Sequence, residues 1–254
     1  MQCLLRIQKV LLMERDEREL SEFENGENEM KEKFNPNSIV CDSSSLISLT
    51  ETGLLGALIM LKPMMKGKIM ITEGVIDETI NEPIKRPQYA FSAIRIKRAL
   101  KSGVFSVAKY RMNTYDRILR TTNNMFYTDR PFHLVNHGEA EMLAAALDNG
   151  VRFVLMDERT TRMLVESPLE LKNHIENEFM VRININEGLF NEFKKLTEGI
   201  KVIRSTEILA LAKEKKYFKK FDSMEKEAYR AALYALKFNG CSISFEEIEE
   251  MAKY

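Results

Sequence analysis

Short apolar runs alternate along this chain with stretches in which apolar residues recur at helical spacing. A strand covered on both faces is apolar at nearly every position, so the runs predict buried strands at 38–41, 68–72, 104–108, 151–156 and 199–203. The periodic stretches predict helices at 43–59, 75–80, 89–102, 139–149, 205–215 and 224–236, and a short one after Ser244. This alternation predicts an α/β fold in three layers, α/β/α, with a mainly parallel central sheet.

Some segments depart from the regular alternation. The first part of the chain begins apolar, becomes densely charged and ends at Asn35-Pro36-Asn37, a sequence typical of a boundary. Residues 168–198 fit no simple unit and predict an insertion, in which 179–185 has the pattern of a strand. The predicted divisions are an N-terminal charged arm (1–36), the α/β domain with its insertion (37–220) and a C-terminal helical extension (221–254).

Composition narrows the class of protein. A chain of 254 residues that is 44% hydrophobic can bury a full core. Cys3, Cys41 and Cys241 are widely spaced and odd in number, which is typical of reduced thiols in a cytosolic protein. The longest apolar run, 54–61, is much shorter than the ~20 residues that cross a bilayer. We therefore expect a cytoplasmic protein with no membrane association.

Charge is balanced overall but unevenly distributed. The formal net charge is zero, yet residues 14–33 hold nine acids and four bases, and residues 85–120 hold ten bases and one acid. The basic run predicts a surface for RNA phosphates, although a solvated helix face gives the same pattern. The candidate RNA-binding residues are Arg95, Lys97, Arg98 and Lys101. The aromatic residues in this run suit either base stacking or a core; they are Tyr89, Phe91 and Phe105.

Four acidic residues are predicted to meet at one edge of the sheet. Asp42 and Asp157 each follow a buried strand directly, so both lie at the carboxyl edge. Glu139 opens the helix before the second of these strands, and a helix of about 16 Å followed by a strand of about 20 Å returns the chain to the edge it left. Glu78 lies on a short helix one turn beyond the same edge.

Each acid alone has a simpler explanation, since carboxylates favour helix N-termini as caps or through the helix dipole. As a set they point to a bound cation, because clustered carboxylates repel one another unless a cation neutralises them. Oxygen ligands suit Mg²⁺ or Mn²⁺ better than Zn²⁺. The histidines have no spacing typical of zinc ligands; they are His133, His137 and His174.

Four segments carry a resemblance to a known family. They are Ile39-Val40-Cys41-Asp42-Ser43-Ser44-Ser45-Leu46-Ile47, Val75-Ile76-Asp77-Glu78, Gly138-Glu139-Ala140-Glu141 and Val154-Leu155-Met156-Asp157-Glu158-Arg159. In this order and spacing, the chain resembles the PIN-domain nucleases, particularly the small prokaryotic and archaeal type that includes ribonuclease toxins of toxin–antitoxin pairs. The resemblance runs from about Ile39 to the C-terminus. The long insertion and the N-terminal arm depart from the family's usual pattern.

The resemblance implies a metal-dependent ribonuclease with a carboxylate-bound Mg²⁺ or Mn²⁺ centre. Its catalytic and metal-binding acids fall on Asp42, Glu78, Glu139 and Asp157, and Asp77 replaces Glu78 if the register is off by one. A hydroxyl that accompanies the first acid falls on Ser43 or Ser44. Glu141 is assigned either a supporting role or a solvated position, because side chains two apart on a helix, such as Glu139 and Glu141, do not face together. Thr160 is also assigned a supporting role.

The same residues leave other functions open. A catalytically silent RNA-binding or assembly module would keep the acids without a complete site. A response-regulator-like domain also gathers acids at a sheet edge, but no lysine follows a later strand here and Glu139 belongs to a helix start. The partners expected from the resemblance are RNA, an antitoxin protein and a second copy of the chain.

Overall fold

The computed structural model describes residues 35–253, so the predicted arm lies almost entirely outside the described residues. In chain order its strands are β1 (Asn35–Cys41), β2 (Ile69–Ile71), β3 (Phe105–Val107), β4 (Phe126–Tyr127), β5 (Val151–Leu155), β6 (Asn184–Ile185) and β7 (Lys201–Ile203). Five of them form a parallel sheet in the order β3-β2-β1-β5-β7. The other two, β4 and β6, form a small antiparallel pair. The predicted parallel sheet is confirmed.

Helices follow most strands. They are α1 (Ser43–Glu51), α2 (Leu55–Leu61), α3 (Glu73–Ile76), α4 (Pro87–Lys101), α5 (Met112–Thr122), α6 (His137–Asp148), α7 (Arg159–Glu166), α8 (Pro168–Phe179), α9 (Glu187–Leu196), α10 (Ser205–Glu214), α11 (Glu225–Phe238) and α12 (Phe245–Lys253). A π-helical turn, Asp77–Asn81, continues α3. Between residues 35 and 253 no single helix is long and apolar enough to cross a membrane, although α1 and the segment Leu55–Met64 together, bent by 112°, meet those criteria.

Alternating side chains of the strands enter two different cores. On β1, Ile39 and Cys41 face one core and Val40 faces the other, and all three are fully buried. The first core is covered by α1 to α4 and α10 to α12, and the second by α5 to α9. Burial on both faces explains why these strands are apolar throughout. The three-layer α/β/α fold predicted from the sequence is confirmed.

The C-terminal helices belong to the same core as the sheet. Tyr229 and Leu233 of α11 and Ile248 of α12 are buried in the first core together with Ile39 of β1. Cys41 and Cys241 are buried free thiols. Residues 221–253 therefore complete one layer of the α/β sandwich.

The predicted strand at 179–185 is largely wrong. Phe179 ends α8, Met180 has a left-handed backbone (φ 53°), and only Asn184–Ile185 pairs with another strand. Met180 is 88% exposed, so the apolar residues here do not mark a buried strand. The insertion consists of two helices, α8 and α9, joined through β6.

The chain order places a crevice between β1 and β5. From β1 the chain builds outward through β2 and β3, then returns to the other side of β1 to form β5 and β7. The Asp42 N–H donates to the Leu155 carbonyl at 2.9 Å, which joins the carboxyl ends of these two strands. Ligands of open parallel sheets bind at such a switch point.

Candidate active site at the switch point

Asp42 occupies the carboxyl end of β1 and caps α1. Its Oδ2 accepts hydrogen bonds from the Ser44 N–H at 3.1 Å and from the Ser44 hydroxyl. Asp42 is 6% exposed, whereas Ser44 is exposed. The capping interpretation of Asp42 is therefore correct, and the carboxylate also borders the crevice.

Glu78 approaches the same point from the π-helical turn after α3. Its Oε2 accepts a hydrogen bond from the Ser43 hydroxyl at 2.5 Å. A Cβ added to Gly138, in the first turn of α6, would lie 3.4 Å from Glu78 Oε1. The Glu78 carboxylate therefore lies between the N-terminal ends of α1 and α6, where helix dipoles favour negative charge.

Glu139 belongs to a capping box at the start of α6. Its Oε2 accepts from the Asn136 N–H at 2.6 Å, and its own N–H donates to Asn136 Oδ1 at 3.1 Å. The helix begins at His137, two residues earlier than predicted, so Glu139 is its third residue. Glu139 is only 7% exposed.

The electrostatics of these acids are unfavourable to negative charge. Burial raises the pKa of Glu139 to about 7, and the nearby carboxylates of Glu158 and Asp42 push in the same direction, against the lowering effect of the Asn136 N–H. Burial also raises the pKa of Asp42, with a further contribution from Glu78. Within residues 35–253, the carboxylates named here form no ion pair with lysine or arginine; they are Asp42, Glu78, Glu139 and Glu158. The crevice therefore favours a proton or a cation.

Asp157 turns away from this crevice. It is fully buried, and its Oδ1 accepts hydrogen bonds from the Ser205 N–H at 2.8 Å and from Cys241 Sγ at 3.2 Å. Its Oδ2 is buried without a hydrogen-bond partner. Its carboxylate therefore lies at the N-terminus of α10, in the layer opposite to Glu139.

Glu158, the next residue, takes the position expected of Asp157. Its Oε1 and Oε2 cap α7 by accepting from the N–H groups of Thr160 at 2.8 Å and Thr161 at 2.6 Å. Glu158, Thr160 and Glu139 together line an open groove of about 850 Å³. The sequence pattern does not distinguish Glu158 from Asp157, the first acid after the strand, because neighbouring residues leave a strand end in different directions.

Glu141 lies on a different face of α6, as predicted, but it is not simply solvated. Its Oε2 accepts from the Gly74 N–H at 3.2 Å. It also contacts the Tyr110 hydroxyl, and burial together with Glu141 raises the pKa of Tyr110 to about 12. Glu141 therefore links α6 to the start of α3.

The basic run does not form one surface. It is divided between α4, which packs on the first core, and α5, which packs on the second. On α5, Arg117 and Arg120 both pair with Glu192 of the insertion. The expected basic patch over 85–120 is thus split across the two faces of the sheet.

On α4, the four candidate RNA-binding residues behave differently. Arg95 donates from Nη1 to the Thr50 carbonyl at 2.7 Å, so this guanidinium satisfies the end of α1. Lys97, Arg98 and Lys101 are exposed. Of the aromatic residues, Phe91 is 72% and Tyr89 45% exposed, whereas Phe105 is buried in β3.

The carboxylate oxygens of these acids are the ligands that a hard divalent cation prefers, but their present positions do not form a metal site. Across residues 35–253, no three His, Cys, Asp or Glu side chains are grouped closely enough to hold a metal ion as they stand. The capping contacts turn oxygens of Asp42, Glu139 and Glu158 toward backbone N–H groups. The donor set is nevertheless entirely carboxylate, which is what Mg²⁺ and Mn²⁺ prefer, and the pKa of Glu139 is raised first by burial and then by the neighbouring carboxylates.

The fold and the site together define an α/β protein with a parallel sheet and carboxylates gathered at its switch point. A family model described as a PIN domain matches residues 38–168, about half of the chain, and the chain belongs to this family. PIN domains are generally nucleases and typically bind divalent metal ions. Neither the curated proteins nor the solved structures gave a match.

Proposed function

We propose that this protein is a metal-dependent ribonuclease. The observation that carries the proposal is the group of mutually repelling carboxylates at the crevice between β1 and β5, with a raised pKa at Asp42 and at Glu139. The proposed ligands of Mg²⁺ or Mn²⁺ are Asp42, Glu139 and Glu158, and Glu78 supports them. Glu158 replaces Asp157 in this set, because the Asp157 carboxylate points toward Ser205.

The proposed reaction is hydrolysis of an RNA phosphodiester bond. Water adds its hydroxyl to phosphorus, the bond from phosphorus to the 3′ oxygen breaks, and that oxygen takes up a proton. A bound divalent ion supplies a water nucleophile at neutral pH and stabilises the leaving oxygen. Asp42 would anchor the site from the sheet, Glu139 and Glu158 would hold it from two helix starts, and Glu78, held by Ser43, would orient the water.

Substrate and partners are part of the proposal. Positive charge that suits RNA phosphates comes from three exposed residues, Lys97, Arg98 and Lys101. Arg95 is not included in the proposed RNA-binding set, because its guanidinium binds the Thr50 carbonyl. By analogy with toxin members of the family, we further propose a toxin role in the cytoplasm, with an antitoxin protein and a second copy of the chain as partners.

A catalytically silent RNA-binding or assembly module is the second candidate. One observation favours it: Asp42, Glu139 and Glu158 each have a structural role as a helix cap. If these acids serve only as helix caps, the protein would need neither a bound cation nor catalytic activity.

The two functions are separated by RNA cleavage with Mg²⁺ or Mn²⁺ and with EDTA. A nuclease cleaves single-stranded RNA with the cation and stops with EDTA. The variants Asp42→Asn, Glu139→Gln and Glu158→Gln keep a capping oxygen but remove the charge, so each should lose nearly all turnover. Ligands of one centre act as a unit, so double variants should be scarcely worse than single ones.

Two further variants complete the design. Glu82→Gln changes an exposed acid paired with Lys85 and should retain activity. Asp157→Asn tests the assignment of the fourth acid, because loss of turnover without loss of stability would return Asp157 to the site in place of Glu158. No cleavage by the parent with either cation, together with RNA binding that ignores all the acid variants, would establish the silent module.

A further inference from the structure

His137 is the first residue of α6 and lines the 850 Å³ groove together with Glu139 and Glu158. It is exposed, and the next residue, Gly138, is the one that packs against Glu78. His137 therefore lies within a helical turn of Glu139 along α6 and next to Gly138, while its ring is directed toward Tyr115. The proposed mechanism gives it no role.

Tyr115 holds one side of the His137 ring. The Tyr115 hydroxyl forms a hydrogen bond with His137 Nδ1, and the two rings are stacked, with centroids 6.2 Å apart and planes 19° apart. Tyr115 is 9% exposed, so its hydroxyl has little access to water. Among the described residues, His137 is the hydrogen-bond partner of this hydroxyl.

This contact engages one of the two ring nitrogens of His137. Burial and the nearby Glu141 carboxylate raise the pKa of Tyr115, so the phenol keeps its proton at neutral pH. A protonated phenol can donate to an unprotonated Nδ1 or accept from a protonated one, so the tautomer of the ring decides the direction of this bond. In either case Nδ1 is directed at Tyr115 and Nε2 is the ring nitrogen left for a ligand; where the phenol donates, Nε2 carries the hydrogen.

The groove wall beside His137 is preorganised. Asn123, at the end of α5, accepts from the N–H groups of Leu134 at 2.7 Å and Val135 at 2.9 Å and donates to the Val135 carbonyl at 2.8 Å. The loop leading into α6 is thereby fixed to the body of the domain. The groove volume falls within the range of ~300–1,000 Å³ typical of small-ligand sites, which is enough for a nucleotide.

We propose that this groove binds the RNA strand next to the scissile phosphate, and that His137 donates a hydrogen bond from Nε2 to a non-bridging phosphate oxygen. The inference rests on the proposed RNA substrate and deepens it. A hydrogen-bond donor suits this position, because it holds a phosphate beside the acids without ligating the cation. Tyr115 acts as a positioning residue, because its hydroxyl engages Nδ1 and leaves Nε2 for the phosphate.

The first test is binding of a fluorescein-labelled single-stranded 2′-O-methyl RNA, measured by anisotropy in EDTA so that cleavage plays no part. His137→Ala should weaken binding about tenfold, as expected for one hydrogen bond to a charged group. His137→Gln carries an amide nitrogen near the position of Nε2 and should stay within about threefold of the parent, whereas His137→Asn should resemble the alanine variant. His174→Ala is the control, since His174 lies on α8 beside Glu178.

The second test reads the tautomer directly by long-range ¹H–¹⁵N NMR of the neutral histidine rings in the metal-free protein. The parent should show a protonated Nε2 at His137, and Tyr115→Phe should lose that preference and bind RNA less tightly than the parent. A protonated Nδ1 in the parent, or unchanged binding by His137→Ala, overturns the inference.

The two proposals can fail separately. If the parent binds the oligonucleotide, cleaves nothing with any cation and still loses affinity in His137→Ala, the nuclease proposal fails and only the role of His137 in holding an RNA phosphate stands. If the parent cleaves RNA but His137→Ala binds normally, only this inference fails. A parent that cleaves RNA with a cation but binds no oligonucleotide in EDTA overturns only this inference, and a parent that neither cleaves nor binds RNA overturns both.

Discussion

Replacement of Glu139 by glutamine should stabilise the metal-free protein, and more so as the pH rises. The folded protein raises the pKa of Glu139, so it binds this proton more tightly than the unfolded chain does. Stability from that proton is fully present below the unfolded pKa and is lost as the pH rises through the folded value of about 7. Glutamine cannot ionise, yet its side-chain oxygen can still accept from the Asn136 N–H.

The size of the effect follows from the two pKa values. A carboxyl with a pKa of about 7 instead of its ordinary 4.5 costs about 3 kcal/mol when fully ionised, because one pKa unit corresponds to ~1.4 kcal/mol. The cost is already near 1 kcal/mol at about pH 5, since the unfolded carboxyl is largely ionised there. The stability gained by Glu139→Gln should therefore grow by roughly 2 kcal/mol between about pH 5 and pH 8.

Urea unfolding in EDTA at several pH values measures this difference directly. Glu82→Gln serves as the control, because Glu82 is exposed and its replacement should give a small difference that changes little with pH. Adding Mg²⁺ should stabilise the parent more than the variant at high pH, since a cation offsets the same repulsion. A gain that is flat with pH, or a variant less stable than the parent at pH 8, would falsify the electrostatic account of the site.

The remaining predictions concern charge and packing. Replacing Lys97 and Arg98 by glutamate should weaken RNA binding and flatten its salt dependence by roughly one unit of slope per lost contact. Measurement of Kd at several salt concentrations checks this, with Lys66→Glu as the control. An unchanged slope would make α4 an ordinary solvated helix. Gly74→Ala should destabilise the protein by about 1 kcal/mol, because the new Cβ would lie 2.4 Å from Glu141 Oε2. The penalty should vanish in a Glu141→Ala background, and thermal unfolding of both variants tests whether that contact is responsible.

The sheet was predictable because its strands are buried on both faces. Such strands leave continuous apolar runs, and an acid that ends the run, as Asp42 does, must lie at the carboxyl edge. The approach of Glu139 to this edge followed from the lengths of the helix and strand that come after it, and that of Glu78 from its position one helical turn beyond the edge. These inferences depend on backbone dimensions that vary little among proteins.

Side-chain direction beyond the strand ends was not predictable in the same way. Asp157 and Glu158 are adjacent acids after β5, and only the contacts with Ser205 on one side and Thr160 on the other separate their positions. Thr160 is close to Glu158 in sequence, but Ser205 is 48 residues from Asp157. The choice between the two acids depended on α10, whose start lies more than 40 residues downstream.

The prediction that residues 85–120 form one basic surface failed for a related reason. Closeness in sequence does not ensure a shared surface when β3 separates two helices, because a chain that passes through the sheet can change layers. Arg95 also shows that a basic side chain can be used in a local hydrogen bond, here to the Thr50 carbonyl at the end of α1. Charge counts along a sequence cannot register such pairing.

The use of carboxylates as helix caps has a consequence for how tightly any cation could be held. An ion that draws Asp42, Glu139 and Glu158 toward itself must loosen three helix starts, and each cap contributes about 1 kcal/mol. Loss of all three would weaken the affinity for the ion by roughly a hundredfold. Occupancy would then follow the free cation concentration around the protein and the arrival of a phosphate to share the ion, and the ion would exchange between one encounter with substrate and the next.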